Sequence, residues 1–321
     1  MTAVTFTERE IRKQPDLWER ALDQSRELVE LFPVKPGASL AFVGSGTSYY
    51  VGLMAAGYFE DLGICPSRAV PASVYRPRPD ESVVVISRSG TTTEALEAAE
   101  HARAAGRTVL GITGDPESPL PELCHMTLAL SYVREESVVQ TGSATTAMMV
   151  LRAAADRLSG RTPPHHLPRL LEEVLQEPVE ALTAHSHAVV LGSGWRYGVA
   201  CEAALKLQEM AHLWVERYVP LEYRHGPLSL AGAHTHVEIL DPETPRISAL
   251  ARDIRATGAK VRVAHRDPLV ELVRLQRVAL LTALARNLNP DRPAHLTRSI
   301  TLTEPAGRPD WKGGDASAPH R

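Results

Sequence analysis

Between residues 39 and 132, apolar runs of strand length alternate with longer segments whose apolar positions recur at helical spacing. The run "LAFVGSG" from Leu40 ends in a glycine turn, and "SYYVGLMAAGYFEDLG" follows it as a helix. "SRAVPAS", "SVVVIS", "TVLGIT" and "MTLALSY" are further candidate strands, with a helix over "TEALEAAEHARAAG" between the second and third of them. Apolar strands joined by helix-length crossovers predict a parallel sheet covered on both faces. Upstream, Glu8 to Leu31 has the pattern of one or two amphipathic helices, ended by "FPVKPGAS".

The pattern occurs twice. "FVGSGTSYYVGLMAA" from Phe42 aligns without gaps against "VLGSGWRYGVACEAA" from Val190, and both place Gly-Ser-Gly after an apolar strand. "HVEILD", "ISALARDIRATGA" and "KVRVAH" then stand where "SVVVIS", "TEALEAAEHARAAG" and "TVLGIT" stood. The expected fold class is α/β, two tandem three-layer (α-β-α) parallel-sheet units. The expected organisation is an N-terminal helical segment 1–38, a first unit 39–160, a proline-bearing helical connector 161–179, a second unit 180–303 and a polar tail 304–321. That Gly/Pro-rich tail is expected to be disordered.

Composition narrows the function classes. The 321 residues, 44% of them hydrophobic, can bury two medium cores. Cys65, Cys124 and Cys201 match neither a disulfide framework nor a zinc pattern, so a reducing cytoplasm is the expected setting and no metal is expected. No run approaches the roughly 20 apolar residues of a membrane span, and the N-terminus lacks a signal core, so no membrane partner is expected. A net charge of -3 with interspersed signs gives no general attraction to nucleic acid. An anion must therefore be captured locally. The two H-x-H pairs, His185/His187 and His234/His236, would each send both rings to one face of a strand and are expected to be packed or exposed rather than metal-binding. Cys201, at a helix start, is expected to be a small buried side chain, with a low thiol pKa as the alternative.

Two stretches carry candidate chemistry. In "SRSGTTTEAL" (Ser87 to Leu96) a glycine permits a tight turn, the following helix offers unpaired N–H groups, and Ser87, Ser89, Thr91 and Thr92 add donors, a combination that suits a phosphate. The competing reading is an ordinary N-cap. The second unit has "DPETPR" at this point, so only the first can form a hydroxyl-lined cradle. The other stretch is "CEAALKLQEMAHLWVERYVPLEYRHGPLSL". A helix puts Glu202, Lys206 and Glu209 on one face at i, i+4 and i+7, and His225 follows in the loop "RHGP". The triplet is either a solvated ion-pair ladder or, with the imidazole, equipment for moving protons.

Together, "GSGTSYYVG", "SRSGTTTE", "ESVVQT", "EAALKLQE", "EYRHGPL" and "NPDRPAHLTRSITL" resemble the double sugar isomerase (SIS) domain family, in particular the isomerase half of glucosamine-6-phosphate synthase, from about Leu40 to Thr303. The resemblance implies flavodoxin-like units. It implies that Ser87, Arg88, Ser89 and Thr92 hold a sugar 6-phosphate, with Thr47 and Ser48 also lining the pocket. Glu209 matches the family's base between C1 and C2. His225 matches the ring-opening histidine, which reaches the site from the neighbouring subunit of a homodimer. Glu202 and Lys206 match residues that position substrate and relay protons. No cofactor is implied.

The glutaminase half is expected to be absent, since no catalytic Cys domain precedes Leu40. Gly142 stands where the synthase has lysine, Arg88 where it has glutamine, and Arg298, in a possible C-terminal lid, where it has its C-terminal lysine. Arginine neither forms a Schiff base nor readily lends a proton. The implied activity is therefore that of the stand-alone relatives, acting at C1/C2 of an amino-sugar 6-phosphate such as glucosamine 6-phosphate or its N-acetyl form. Ring opening and enol formation would lead to isomerisation, deamination or dehydration. The alternatives are an aldose-ketose isomerase or deglycase on another sugar phosphate, and a non-catalytic phosphosugar sensor.

Overall fold

The three central strands of the first unit are built from residues that bury on both faces, and its two edge strands are partly exposed. The computed structural model describes residues 4–33 and 39–302, so the expected tail 304–321 lies outside the described residues. In chain order α1 (Phe6–Arg12) and α2 (Gln14–Leu31) precede β1 (Ser39–Gly44), α3 (Thr47–Asp61), β2 (Ser67–Pro71), β3 (Glu81–Ser87), α4 (Thr93–Ala104), β4 (Val109–Thr113), the single-turn α5 (Leu120–Leu123), β5 (Met126–Ala129) and α6 (Gly142–Leu158). The strands form a parallel sheet in the order β2-β1-β3-β4-β5. Its order reverses between β1 and β3, and in such sheets the crevice beyond the C-terminal strand ends at that point takes ligands.

Alternation along β3 divides the core. Val83 and Val85 face one side with Ala41 and Val43, against Ala95, Ala98, Ala99 and Ala102 of α4. These alanines, at helical spacing, let α4 lie close to the sheet. Val84 and Ile86 face the other side with Leu40 and Phe42, where α3 and α6 pack.

The second unit repeats this order without a fifth strand. After α7 (Leu167–Gln176) come β6 (His187–Leu191), α8 (Trp195–Ala211), β7 (Trp214–Tyr218), β8 (Thr235–Ile239), α9 (Pro245–Ala256), β9 (Lys260–Val263) and α10 (Pro268–Ala285), with a parallel sheet ordered β7-β6-β8-β9. The chain is thus two parallel-sheet α/β units, as the repeat implies. In "DPETPR", Thr244 caps α9 by accepting from the Ile247 N–H, so the hydroxyl of this loop serves its own helix.

The N-terminal helices are an integral layer. Trp18 Nε1 donates to Thr145 Oγ1 of α6 at 3.0 Å, Thr145 donates to Gln14 Oε1 at 2.6 Å, and Gln14 donates to Gln276 Oε1 of α10 at 2.7 Å. The Phe6 and Thr7 amides both donate to Asp291. One apolar cluster accordingly runs from α2 through α3, α6, α8 and α10.

The units meet where α3 crosses α8 antiparallel and very close. A Cβ on Gly198 would lie 2.3 Å from the Met54 amide nitrogen, and one on Gly57 would lie 2.9 Å from the Trp195 backbone. Only glycine admits backbones at these distances. We expect Gly198→Ala to lower unfolding stability by about 1–3 kcal/mol through overpacking, read as a shifted urea midpoint. An unshifted midpoint would show that the helices can part without cost.

Candidate active site

At the C-terminal end of β3 the chain turns sharply through Arg88, Ser89 and Gly90. Gly90 has φ +63°, and a Cβ there would fall 1.8 Å from Ser118 Oγ, so both backbone and space demand glycine. Ser87 Oγ accepts from the Gly90 N–H at 3.2 Å and Ser89 Oγ accepts from the Thr91 N–H at 3.2 Å. Each hydroxyl acting as an acceptor still has its own O–H to donate. Thr92 occupies the N-cap of α4 but makes no side-chain capping bond, which removes the main support for the ordinary N-cap reading. Ser87, Ser89 and Thr92 line a cleft of about 40 Å³ with Ser45 and Ser48 from the glycine turn after β1.

Arg88 and Arg298 also line this cleft, and the structure shows what holds the Arg88 side chain. The Arg88 guanidinium pairs with buried Glu135 at 3.2 Å and donates to the Val138 carbonyl and, at 2.9 Å, to the Arg298 carbonyl. Burial works against the Glu135 charge, yet Arg88, the Ser143 hydroxyl and the Ser143 and Thr141 amides hold its pKa below the usual carboxylate range. Arg88 is thus a strut joining the loop to the 135–143 segment and to the C-terminal stretch. That stretch continues across α4, where Ile300 O accepts from Thr93 N and the Leu302 amide donates to Thr93 Oγ1. Gln140, which the sequence reading passed over, lines the cleft as well, and Glu135 was missed as the partner of Arg88. The quoted motif "ESVVQT" contains Gln140 and begins one residue after Glu135.

The second constellation assembles at the α3–α8 crossing. Glu202 and Lys206 have fully buried side chains, which rules out the solvated ladder, whereas the Glu209 side chain is 19% exposed. Lys206 Nζ lies 2.6 Å from Glu209 Oε2 and 3.3 Å from Glu202 Oε1, and it donates to Thr47 Oγ1 at 3.1 Å. Thr47 in turn donates to Glu202 at 3.3 Å. Burial raises the Glu202 carboxyl to about 7 against the pull of Lys206, with Glu209 adding to the rise. Burial also opposes the Lys206 charge, but Glu202 and Glu209 outweigh it and hold the ammonium pKa above its ordinary value. The first turn of α3 therefore serves two sites. Thr47 faces the charged triplet, and its neighbour Ser48 faces the hydroxyl cleft.

His225 lies on an exposed turn between two short 3-10 segments, Pro220–Arg224 and Pro227–Leu230, and makes no side-chain hydrogen bond among the described residues. The H-x-H pairs do find acids, one on the adjacent strand and one two residues on in the same strand. His187 Nε2 meets Glu216 at 3.0 Å and His236 Nε2 meets Glu238 at 2.8 Å. The rings pair across strands, His185 with His236 and His187 with His234, and no group of three or more metal-binding side chains forms among the described residues. Cys201 is buried, and desolvation pushes its thiol up to about 11, so it is a packing residue. Among the described residues, no helix is long and apolar enough to cross a membrane.

A family model described as the SIS domain matches residues 35–157. The chain is 30% identical to the glutamine-fructose-6-phosphate aminotransferase [isomerizing] of Xylella fastidiosa over 92% of this chain and 59% of that relative, and 29% identical to that of Bordetella parapertussis over 82% and 52%. It thus spans little more than half the length of these curated relatives. Among solved structures, glucosamine-6-phosphate deaminase from Thermotoga maritima superposes with a TM-score of 0.83 at 26% identity, covering 93% of this chain and 100% of that one. Tagatose-6-phosphate ketose/aldose isomerase from Escherichia coli superposes with a TM-score of 0.78 at 22% identity, over 94% and 97%, a likeness of fold.

The buried triplet has a measurable signature. Glu202 titrates near 7 in the folded chain against an ordinary 4.5, so its contribution to stability is complete below about pH 4.5 and lost as pH rises through 7. Relative to Glu202→Gln, the wild type should lose on the order of 3 kcal/mol of unfolding free energy between pH 4.5 and 7.5. Urea unfolding across that range tests this, and parallel curves for the two proteins would rule it out.

Proposed function

The chain carries a SIS domain at residues 35–157, and on that premise we propose that it is a phosphosugar-processing enzyme acting at C1 and C2 of an amino-sugar 6-phosphate. The observation that carries this reading is the α3 first turn, where Ser48 lines the hydroxyl cleft while Thr47 is hydrogen-bonded to Lys206, 2.6 Å from Glu209. An anion cradle and a proton-transfer group are thereby held one helical step apart. The names of the relatives, an aminotransferase [isomerizing], a deaminase and a ketose/aldose isomerase, support the same chemistry.

In this reading Ser87, Ser89, Thr92 and Ser48 donate to the phosphate, and the N-terminus of α4 adds its field. Arg88 acts through the shape of the loop it braces. Of the triplet, Glu209 is the member with exposed surface, and it is the base that removes the C2 proton after ring opening. Glu202, near neutrality in its pKa, and Lys206 sit behind it as positioning residues and a proton relay. Thr47 fixes both.

The enol formed at C1–C2 has three outcomes. Reprotonation at C1 gives a ketose. With a free amine at C2, the same shift gives an imine, which water hydrolyses to fructose 6-phosphate and ammonia. With an acetamide at C2, loss of the C3 hydroxyl competes and releases water. His225 opens the ring, and its exposure fits a role in the site of a second subunit. Trp214 (73% exposed), Leu230 (56%) and Val219 (40%) lie near it in sequence and supply apolar surface for such a homodimer.

Incubation with glucosamine 6-phosphate, its N-acetyl form and fructose 6-phosphate, followed by mass analysis, separates the branches by loss of ammonia, loss of water or no change in mass. We expect Glu209→Gln to lower kcat about 10²- to 10⁴-fold, the range of a general base, and Ser89→Ala to act mainly on KM. Full turnover in Glu209→Gln would remove the base assignment. Binding of these sugars without turnover by the wild type would identify a sensor instead.

A further inference from the structure

A second and larger crevice lies at the seam between the units, beyond the C-terminal ends of β8 and β9. Its volume is about 660 Å³, and it is walled by the end of α3, the end of α6 with Arg161 just beyond it, the start of α8, and the loops 240–243 and 263–268. This is the second unit's counterpart of the hydroxyl cleft, at the point where its sheet order reverses. The counterpart differs chemically. Ser193, in the Gly-Ser-Gly turn of this unit, donates from its amide (2.9 Å) and its hydroxyl to Asp241, so the unit's own carboxylate engages its glycine turn.

Arginines line the crevice instead. Arg152 is committed to Asp267 at 2.8 Å and Arg266 to Glu177 at 2.5 Å. Arg196 and Arg161 make no side-chain hydrogen bond or ion pair among the described residues, and both line the crevice. Arg196 is not loose, since its guanidinium carbon lies 5.2 Å from the centre of the Trp195 ring, which Arg152 also approaches at 5.1 Å. The held guanidinium presents a planar fork with no protein acceptor, the geometry suited to phosphate. The two remaining lining carboxylates, Asp61 and Glu243, are at exposed positions and can accept from hydroxyls.

We propose that this crevice is a second ligand site, taking a phosphorylated polyhydroxy compound, with the phosphate on Arg161 and Arg196 and the hydroxyls on Asp61 and Glu243. The site is separate from the hydroxyl cleft and does not depend on the chemistry assigned there. It lies on the α3–α8 crossing that positions Thr47, so a ligand here bears on the same pair of helices as the triplet.

Isothermal titration of the full chain with fructose 6-phosphate, and with inorganic pyrophosphate as a probe without hydroxyls, tests the proposal. Two classes of site are expected for the sugar phosphate. The double variant Arg161→Gln/Arg196→Gln should weaken one class at least tenfold, with unchanged thermal unfolding in the absence of ligand, while Ser89→Ala/Thr92→Ala should weaken only the other. Pyrophosphate should alter Trp195 fluorescence in the wild type and not in Trp195→Phe. A single class of site abolished by the loop variant, or an isotherm unaffected by the arginine variant, would overturn the proposal and leave the reading of the first cleft intact. Binding that survives the loop variant and is lost in the arginine variant supports the crevice while counting against the first cleft.

Discussion

An ammonium group buried without exposure between two carboxylates and a hydroxyl is the constraint on which the rest depends. Removing such charges from water costs several kcal/mol per ion unless the partners are close and well placed. Lys206 meets that requirement through Glu209, Thr47 and Glu202, and Thr47 comes from the other unit. The contact exists only if α3 and α8 cross at backbone distance, which is what Gly57 and Gly198 allow. Glycines at the seam, far from any reactive group, thus set the electrostatics at its other end.

The duplication explains why neither unit suffices. In the first, the loop after β3 leaves Thr92 without a capping bond and the Ser87 and Ser89 hydroxyl hydrogens free. In the second, the equivalent loop spends Thr244 on α9, and the glycine turn binds Asp241. The second unit contributes instead through α8, whose Glu202 and Lys206 are buried because this helix lies between sheet and neighbouring helices rather than on the surface.

That last point marks the limit of what sequence could show. The strands themselves, the repeat, the glycine turns and the spacing of the triplet follow from local patterns, since valine runs, Gly-Ser-Gly turns and i, i+4 offsets are properties of neighbouring residues. The burial of Glu202 and Lys206 does not follow, because a helix enclosed on most sides carries no polar face by which to orient it. Arg88 shows the same limit. As a charge beside a phosphate loop it promised a direct contact, but Glu135, 47 residues on, and the carbonyl of Arg298 take its donors. The partner of His187, Glu216, is 29 residues away on the adjacent strand β7 and is invisible to local pattern, whereas the partner of His236, Glu238, stands two residues on in β8.

The commitment of Arg88 also bears on how the hydroxyl-lined cleft is held together. With the charge of Arg88 offset by Glu135, the other side-chain donors lining the cleft are hydroxyls, Gln140 and Arg298. Arg88 also holds the Arg298 carbonyl, and Thr93, in the first turn of α4, holds Ile300 and Leu302. The C-terminal stretch is therefore fastened both to the loop after β3 and to the first turn of α4.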